Sequence, residues 1–240
     1  MAGFYEAIST KAKGIVYDIG AGSGILSAWA APNADHVFAI EINKSTAKRA
    51  KINLECFKNV EVICADASKV SISKNADVII CEMLDTALID EEQVPVLNSV
   101  RKYLKHSGII IPYGIINCVE PIQVEVEHIC YDEDDNPKNL ILGEPLFYSK
   151  IIFVKHIDET FHKSIDMTIK TAGIVTAVKI TTFTLITENI ICGPTPMLNP
   201  PLIIPVEKLN VDCGDKLRLD LYYVMGGGLE SVRARIEKIS

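Results

Sequence analysis

The sequence predicts an α/β fold with a parallel sheet, followed by an antiparallel β-barrel or β-sandwich. Apolar strand patterns alternate with helical patterns as far as Pro112. Beyond Pro112 the helical periodicity disappears, and segments rich in Val, Ile, Thr and Tyr follow one another. The 240 residues are enough to bury a sizeable core. We therefore expect two domains, at residues 1–112 and 113–240.

The first half contains the α/β pattern. Very apolar strands separated by helices indicate a parallel sheet that is covered on both faces. The predicted strands are Gly14–Ile19, His36–Ile42, Val60–Cys64, Ala76–Cys81 and Gly108–Ile111. The predicted helices are Ile25–Ala31, Ser45–Phe57 and Asp90–Lys105.

The second half contains only strand patterns, several of them alternating between apolar and polar residues. The predicted strands are Ile115–Ile129, Lys150–Val154, Ser164–Thr171, Val175–Ile186, Leu202–Val206, Lys216–Val224 and Ser231–Ile239. Asn199-Pro200-Pro201 is interpreted as a rigid turn before one of these strands.

Composition and charge exclude several classes of protein. A formal net charge of −7 argues against nucleic acid as a partner, because phosphate backbones usually require basic faces. The longest apolar run, residues 108–119, is too short to span a bilayer, and no signal-peptide pattern opens the chain. We therefore expect a cytoplasmic protein with no membrane partner. The seven cysteines lack a Cys-x-x-Cys pair, so no metal site is predicted.

A glycine-rich turn joins the first predicted strand to the first predicted helix. Asp18 is followed by Gly20, Gly22 and Gly24 in the spacing Gly-x-Gly-x-Gly. Glycines at such a turn allow the backbone to approach a ligand closely. A glycine turn can also serve packing alone. The strand before it and the helix after it favour a cofactor site.

Two acidic residues follow the next two strands. Glu41 ends the second strand, 21 residues after Gly20, where a carboxylate can accept hydrogen bonds from both ribose hydroxyls. Asp66 lies just past the third strand and is placed to meet an adenine amino group, although a local turn role is an alternative. With the glycine turn, these residues resemble the class I S-adenosylmethionine-dependent methyltransferases. The resemblance implies a Rossmann-like S-adenosylmethionine-binding domain; a nicotinamide dinucleotide is the alternative.

Two glutamates lie nine residues apart after the fourth strand, at Glu82 and Glu91. With a loop between them, the two carboxylates could converge on one small cation and hold it through charge-assisted hydrogen bonds. The alternative is that Glu91 merely begins a helix, where the helix dipole favours acids. That alternative does not account for Glu82 at the end of a buried strand.

The sequence Glu-x-x-Asp-Thr-x-Leu-Ile-x-Glu from Glu82 to Glu91 resembles the double-glutamate loop of the protein arginine methyltransferase family, most like its monomethylating branch. The resemblance implies that Glu82 and Glu91 are catalytic and bind an arginine-containing protein, and that residues 113–240 form a β-barrel-like substrate domain. Only about a dozen residues precede the first strand, so we expect the family's N-terminal helices to be absent. The Thr-His-Trp barrel loop of the family is missing too.

These departures leave two other functions open. One is methylation of a small cationic or amine metabolite. The other is a non-catalytic, cofactor-binding role that requires a partner subunit.

Overall fold

The computed structural model describes residues 1–70, 75–132, 138–195 and 198–239. The first part of the chain forms a five-stranded parallel sheet in the order β3-β2-β1-β4-β5. Its strands are β1 (Gly14–Ile19), β2 (Ala34–Glu41), β3 (Val60–Cys64), β4 (Ala76–Cys81) and β5 (Leu104–Ile111). The helices are α1 (Ala2–Lys11), α2 (Ile25–Ala30), α3 (Lys44–Asn53) and α4 (Gln93–Val100).

The strand order determines where a ligand can bind. The chain leaves β1 toward β2 on one side, and β4 pairs with β1 on the other side. In open parallel sheets the crevice at such a reversal, beyond the carboxyl ends of the strands, is the usual ligand site. The carboxyl ends of β1, β2 and β4 therefore share one edge of this sheet.

The second part of the chain is antiparallel. Its strands are β6 (Gly114–Gln123), β7 (Cys130–Tyr131), β8 (Leu140–Ile141), β9 (Leu146–Ile152), β10 (Thr160–Thr168), β11 (Gly173–Leu185), β12 (Ile191–Cys192), β13 (Leu202–Val211), β14 (Lys216–Val224) and β15 (Arg233–Ile239). One curled sheet has the order β7-β13-β11-β6-β8, with β9 also on β6 and β12 on β11. A smaller sheet has the order β10-β14-β15.

The predicted fold class, a parallel α/β sheet followed by an antiparallel β-barrel-like part, is confirmed; the curled sheet forms a half-barrel. The parallel sheet ends at Ile111 and the antiparallel one begins at Gly114. Asn199 adopts a left-handed φ of 52° and β13 begins at Leu202, so the Asn-Pro-Pro segment is a turn before a strand.

The predicted helix Asp90–Lys105 is wrong at both ends. Helix α4 covers only Gln93–Val100, and a short 3₁₀ turn, Arg101–Tyr103, leads into β5. Lys105 belongs to β5, where its Nζ lies 2.8 Å from a carboxylate oxygen of Asp77 in β4. Leu104 and Lys105 therefore belong to the sheet although their local pattern is helical, because pairing with β4 outweighs helix propensity.

Residues ahead of β1 form a helix that the sequence analysis did not assign. Helix α1 buries Phe4 and Ile8 against Val16 of β1 and Ile80 of β4. A ten-residue helix is marginal by itself, so this packing is what stabilises it.

One apolar core joins the two parts of the chain. Leu97 of α4 and Ile110 of β5 belong to the same cluster of buried side chains as Ile180 of β11 and Leu219 of β14. The antiparallel part therefore packs against the parallel part through a shared buried core. Among the described residues, no helix has the length and apolar character needed to cross a bilayer.

Candidate active site

The glycine turn between β1 and α2 is held against the end of β2. Gly20 and Gly22 have φ values of 69° and 56°, which favour glycine strongly. The amides of Gly20 and Ala21 both donate to the carbonyl of Ile40, at 2.9 and 3.0 Å. A Cβ on Gly22 would meet no heavy atom closer than 3.9 Å, so the space above the turn is open. A ligand can therefore approach the backbone at Gly22.

Asp18 places a buried carboxylate beneath this turn. Its Oδ2 accepts a hydrogen bond of 2.6 Å from the Ser27 hydroxyl. Its Oδ1 is buried and has no hydrogen-bond partner among the described residues. Burial, assisted by the nearby Glu41 carboxylate and opposed by the hydrogen bonds from Ser27, raises the pKa of Asp18 to about 6. An unpartnered buried acceptor of this kind is suited to a cationic ligand group.

Glu41 lies at the carboxyl end of β2, next to the same turn. Its Oε2 accepts from the amide of Gly22 at 2.9 Å, and its Oε1 accepts from the amide of Asn43 at 2.7 Å. Only 8% of Glu41 is exposed. Each carboxylate oxygen has a second lone pair, so these bonds fix the side chain and leave acceptor capacity for a ligand.

The Asp66 side chain bonds residues that follow it closely in the sequence. The amide of Ala65 donates to the Glu41 carbonyl at 3.1 Å, which brings this segment to the candidate cofactor edge. The Asp66 carboxylate accepts from the amide and hydroxyl of Ser68 at 2.9 and 2.6 Å, and it lies 2.7 Å from Lys69 Nζ. These partners lower the pKa of Asp66 to about 2. The bonds are those of the alternative turn role, and adenine binding by Asp66 stays a prediction.

Glu82 follows β4 and is held from both sides by one glutamine. The buried side chain of Gln93 accepts from the amide of Met83 at 3.0 Å and donates to the carbonyl of Cys81 at 2.7 Å. The backbone on either side of Glu82 is therefore fixed to the start of α4. Burial, assisted by the carboxylates of Asp18 and Glu91 and opposed by the N-terminal ammonium, raises the pKa of Glu82 to about 7.

Asp85 organises the loop between the two glutamates. Its carboxylate accepts hydrogen bonds from the amides of Ile89 at 3.0 Å, Asp90 at 2.8 Å and Glu91 at 3.3 Å. Burial raises the pKa of Asp85 to about 7. The backbone of Glu91 is thus attached to Asp85, whereas the Glu91 side chain is exposed. The sequence analysis gave Asp85 no role, because its carboxylate bonds amides four to six residues further along and not the N2 or N3 amide of a helix cap.

The double-glutamate loop lies directly against the glycine turn. A Cβ on Gly20 would lie 3.0 Å from the Sδ of Met83, the residue that follows Glu82. The structure therefore brings Asp18, Gly20, Glu41 and Glu82 to one edge of the sheet, as the sequence analysis required. The candidate cofactor and substrate sites adjoin.

The antiparallel part supplies an aromatic side chain that the sequence analysis missed. Strand β7 pairs with β13 at Tyr131 and Leu202, and the Thr86 hydroxyl donates to the carbonyl of nearby Pro200 at 2.7 Å. Burial raises the pKa of Tyr131, and the carboxylates of Asp85, Asp90 and Glu91 raise it further. The phenol therefore faces the acidic side of the loop. No local sequence pattern marks Tyr131, because its position depends on strand pairing.

Comparison with known proteins agrees with this arrangement. Residues 16–108 match the family model described as a methyltransferase domain. An uncharacterised protein of Methanothermobacter thermautotrophicus is 47% identical over 239 residues, which cover 98% of this chain and 92% of the relative. The chain belongs to the family of that protein.

The fold of this family member is shared with solved protein arginine methyltransferases. Arabidopsis thaliana protein arginine methyltransferase 10 superposes with a TM-score of 0.80 at 17% identity, covering 100% of this chain and 94% of that one. Trypanosoma brucei PRMT1, in an enzyme–prozyme heterotetrameric complex with AdoHcy, superposes with a TM-score of 0.79 at 15% identity, covering 99% and 93%.

The chain therefore contains a match to the methyltransferase-domain model and has the fold of the protein arginine methyltransferases, and that predicted resemblance is confirmed. Its assignment to the monomethylating branch stays a prediction.

Proposed function

We propose that this protein is an S-adenosylmethionine-dependent N-methyltransferase that methylates a guanidino nitrogen of arginine in a protein substrate. One observation carries the proposal. A loop with a glutamate at each end packs on the glycine turn through Met83 and Gly20, and the backbone on both sides of Glu82 is fixed by Gln93. A carboxylate fixed beside a methyl-donor site suits a cationic nucleophile.

The residues at the turn fit S-adenosylmethionine. The unpartnered Oδ1 of Asp18 matches the ammonium group of the methionine part. The fixed carboxylate of Glu41 matches the two ribose hydroxyls, and Asp66 is proposed to contact the adenine amino group. The open space at Gly22 permits close approach of the ligand, and Gly20 and Gly24 supply the left-handed backbone on either side of it. When bound, the cofactor supplies a methyl group on a positively charged sulfur.

The two glutamates have separate tasks in the reaction. Glu82 is fixed, so its carboxylate orients the guanidinium with paired hydrogen bonds and aligns one nitrogen with the methyl carbon. Glu91 is exposed, and its carboxylate binds the guanidinium from the other end of the loop. When the cofactor donates its methyl group, the attacking guanidino nitrogen would have to lose a proton, and a carboxylate of the loop would accept it. The pKa of Glu82, raised to about 7, suits it to accept that proton near neutral pH.

Glutamate-to-glutamine substitutions test the proposal. Glu82→Gln and Glu91→Gln keep the side-chain shape but remove a charge, so cofactor affinity measured by calorimetry should survive. Transfer of labelled methyl to an arginine-rich peptide should fall about a hundredfold or more in each variant. The double variant should be little worse than the worse single variant, because residues acting as a unit are not additive. Glu92→Gln, an exposed neighbour, is the matched control and should retain activity.

Other outcomes identify the alternative functions. Label that enters a small-molecule fraction and not protein indicates a metabolite methyltransferase. Activity that appears only after a second chain co-purifies indicates a subunit that requires a partner. Near-normal peptide methylation by both single variants would falsify the assignment of the two glutamates.

A further inference from the structure

The loop between Glu82 and Glu91 has an unusual backbone at its apex. Ala87 and Leu88, in the 3₁₀ turn Thr86–Leu88, have φ values of 59° and 62°. Residues with a Cβ rarely adopt this left-handed conformation, and two in succession are rarer still. Such a conformation persists only where the surrounding structure enforces it, and it is concentrated at functional sites.

A chain of side-chain hydrogen bonds from the antiparallel part reaches this apex. The amide of Ala87 donates to Thr182 Oγ1 at 2.9 Å, and that hydroxyl donates to Asn117 Oδ1 at 2.7 Å. Asn117 Nδ2 then donates to Ser149 Oγ at 2.9 Å. The three side chains stand on the adjacent strands β11, β6 and β9. We refer to Thr182, Asn117 and Ser149 as the three-strand chain.

The three-strand chain is deeply buried where it meets the loop. Thr182 and Asn117 both have 0% exposure. In the absence of water, each polar group must find its partner within the protein, and each bond is stronger than it would be at the surface. The Thr182 hydroxyl uses its proton toward Asn117, so a lone pair is directed to Ala87. The chain therefore fixes one orientation of the hydroxyl.

Backbone contacts complete the attachment of the apex. The amides of Gly226 and Gly228 donate to the carbonyls of Leu88 at 2.9 Å and Ile89 at 3.0 Å. The two halves of the loop are thus fixed on different elements. Gln93 fixes the Glu82 end, and the antiparallel part fixes the apex that leads to Glu91.

We propose that Thr182, supported by Asn117 and Ser149, is a positioning residue that fixes the left-handed apex at Ala87 and thereby sets the placement of Glu91 relative to Glu82. This inference rests on the proposed function, since the two glutamates must converge on one guanidinium. Loss of the Thr182 hydroxyl leaves the Ala87 amide without its acceptor. The apex then relaxes, and the two carboxylates lose their common target. Substrate alignment suffers, while the cofactor side of the turn is untouched.

Three substitutions on one strand test the inference. Thr182→Val keeps the shape and removes the hydroxyl; Thr182→Ser keeps the hydroxyl. Thr176→Val is the matched control, because, within the described part of the chain, the Thr176 hydroxyl bonds Val124 alone, at the other end of the same strand pair. We expect kcat for peptide methylation to fall about tenfold or more in Thr182→Val, with cofactor affinity within twofold of the unmodified protein. Thr182→Ser should recover most of kcat, and Thr176→Val should retain it.

Hydrogen exchange of the loop amides gives a readout that does not depend on activity. Thr182→Val should lower protection of residues 86–91 while protection of β1 and β4 stays unchanged. If the unmodified protein methylates no arginine peptide, a selective loss of protection still supports the positioning role, and only the proposed function fails. Unchanged protection at Ala87, or a Thr182→Ser variant as impaired as Thr182→Val, overturns the inference.

A second variant addresses failure of Thr182→Val to fold. Ser149→Ala removes the far, half-buried end of the three-strand chain and touches neither glutamate. It should lower kcat about two- to fivefold and weaken protection at Ala87 in the same direction. Full activity together with full protection in this variant contradicts the proposed chain.

Discussion

Glu82 should make the folded protein less stable at alkaline pH, and replacing it with glutamine should relieve that cost. In the unfolded chain its carboxyl ionises near pH 4.5, whereas burial raises the pKa in the folded state to about 7. As pH rises from 4.5 to 7, the unfolded state therefore loses its proton first, and the folded state becomes relatively less stable. Each pKa unit corresponds to about 1.4 kcal/mol, so the full cost above pH 7 is about 3 kcal/mol.

Urea unfolding of Glu82→Gln and the unmodified protein at pH 5 and pH 8 measures this cost. At pH 5 most of the cost has not yet appeared. The stability gained by the substitution should therefore be about 2 kcal/mol larger at pH 8 than at pH 5. Glu92→Gln is the matched control; its exposed side chain predicts a change within about 0.5 kcal/mol at either pH. An equal effect of Glu82→Gln at both pH values would refute the buried, raised-pKa carboxyl on which the proposed proton transfer depends.

Two further predictions concern the glycine turn and its acid. Glu41→Ala should weaken S-adenosylmethionine binding by about 1.5–3 kcal/mol, the range for hydrogen bonds to a charged group, and unchanged affinity in a calorimetric titration would contradict the ribose assignment. Gly22→Ala should cost only about 1–2 kcal/mol of stability from its left-handed backbone, yet reduce cofactor affinity at least tenfold, because the new methyl projects into open space above the turn. Gly24→Ala should mainly destabilise the fold, since its Cβ would lie 2.6 Å from Leu54. If Gly22→Ala and Gly24→Ala lose the same affinity and the same stability, a ligand above Gly22 is contradicted.

The sequence predicted the elements that depend on local pattern. The bounds of β1, β3 and β4 agree with the predicted strands, because apolar runs bounded by turn residues specify buried parallel strands well. The placement of Gly20, Glu41 and Glu82 at one sheet edge also followed, since the carboxyl ends of parallel strands meet there.

Other features could not be predicted because they depend on contacts between distant residues. Helix α4 begins at Gln93 and not at the predicted Asp90, since the amides of Ile89 and Asp90 donate to the carboxylate of Asp85. Thr182 and Asn117 are 65 positions apart, and only the register of β11 on β6 brings them opposite each other. One threonine in an alternating strand resembles any other until that register is known.

The two ends of the double-glutamate loop are fixed by different mechanisms, and this difference bears on function. The Glu82 end is attached by Gln93 within the parallel part, so its geometry survives any adjustment of the antiparallel part. The Glu91 end depends on Asp85 and on the apex at Ala87, which the antiparallel part contacts through Thr182. Under the proposed function, both carboxylates must meet on one guanidinium, so a substrate that contacts the antiparallel part would act on the Glu91 end of the loop and not on the Glu82 end. This arrangement would couple correct substrate binding to alignment for the reaction.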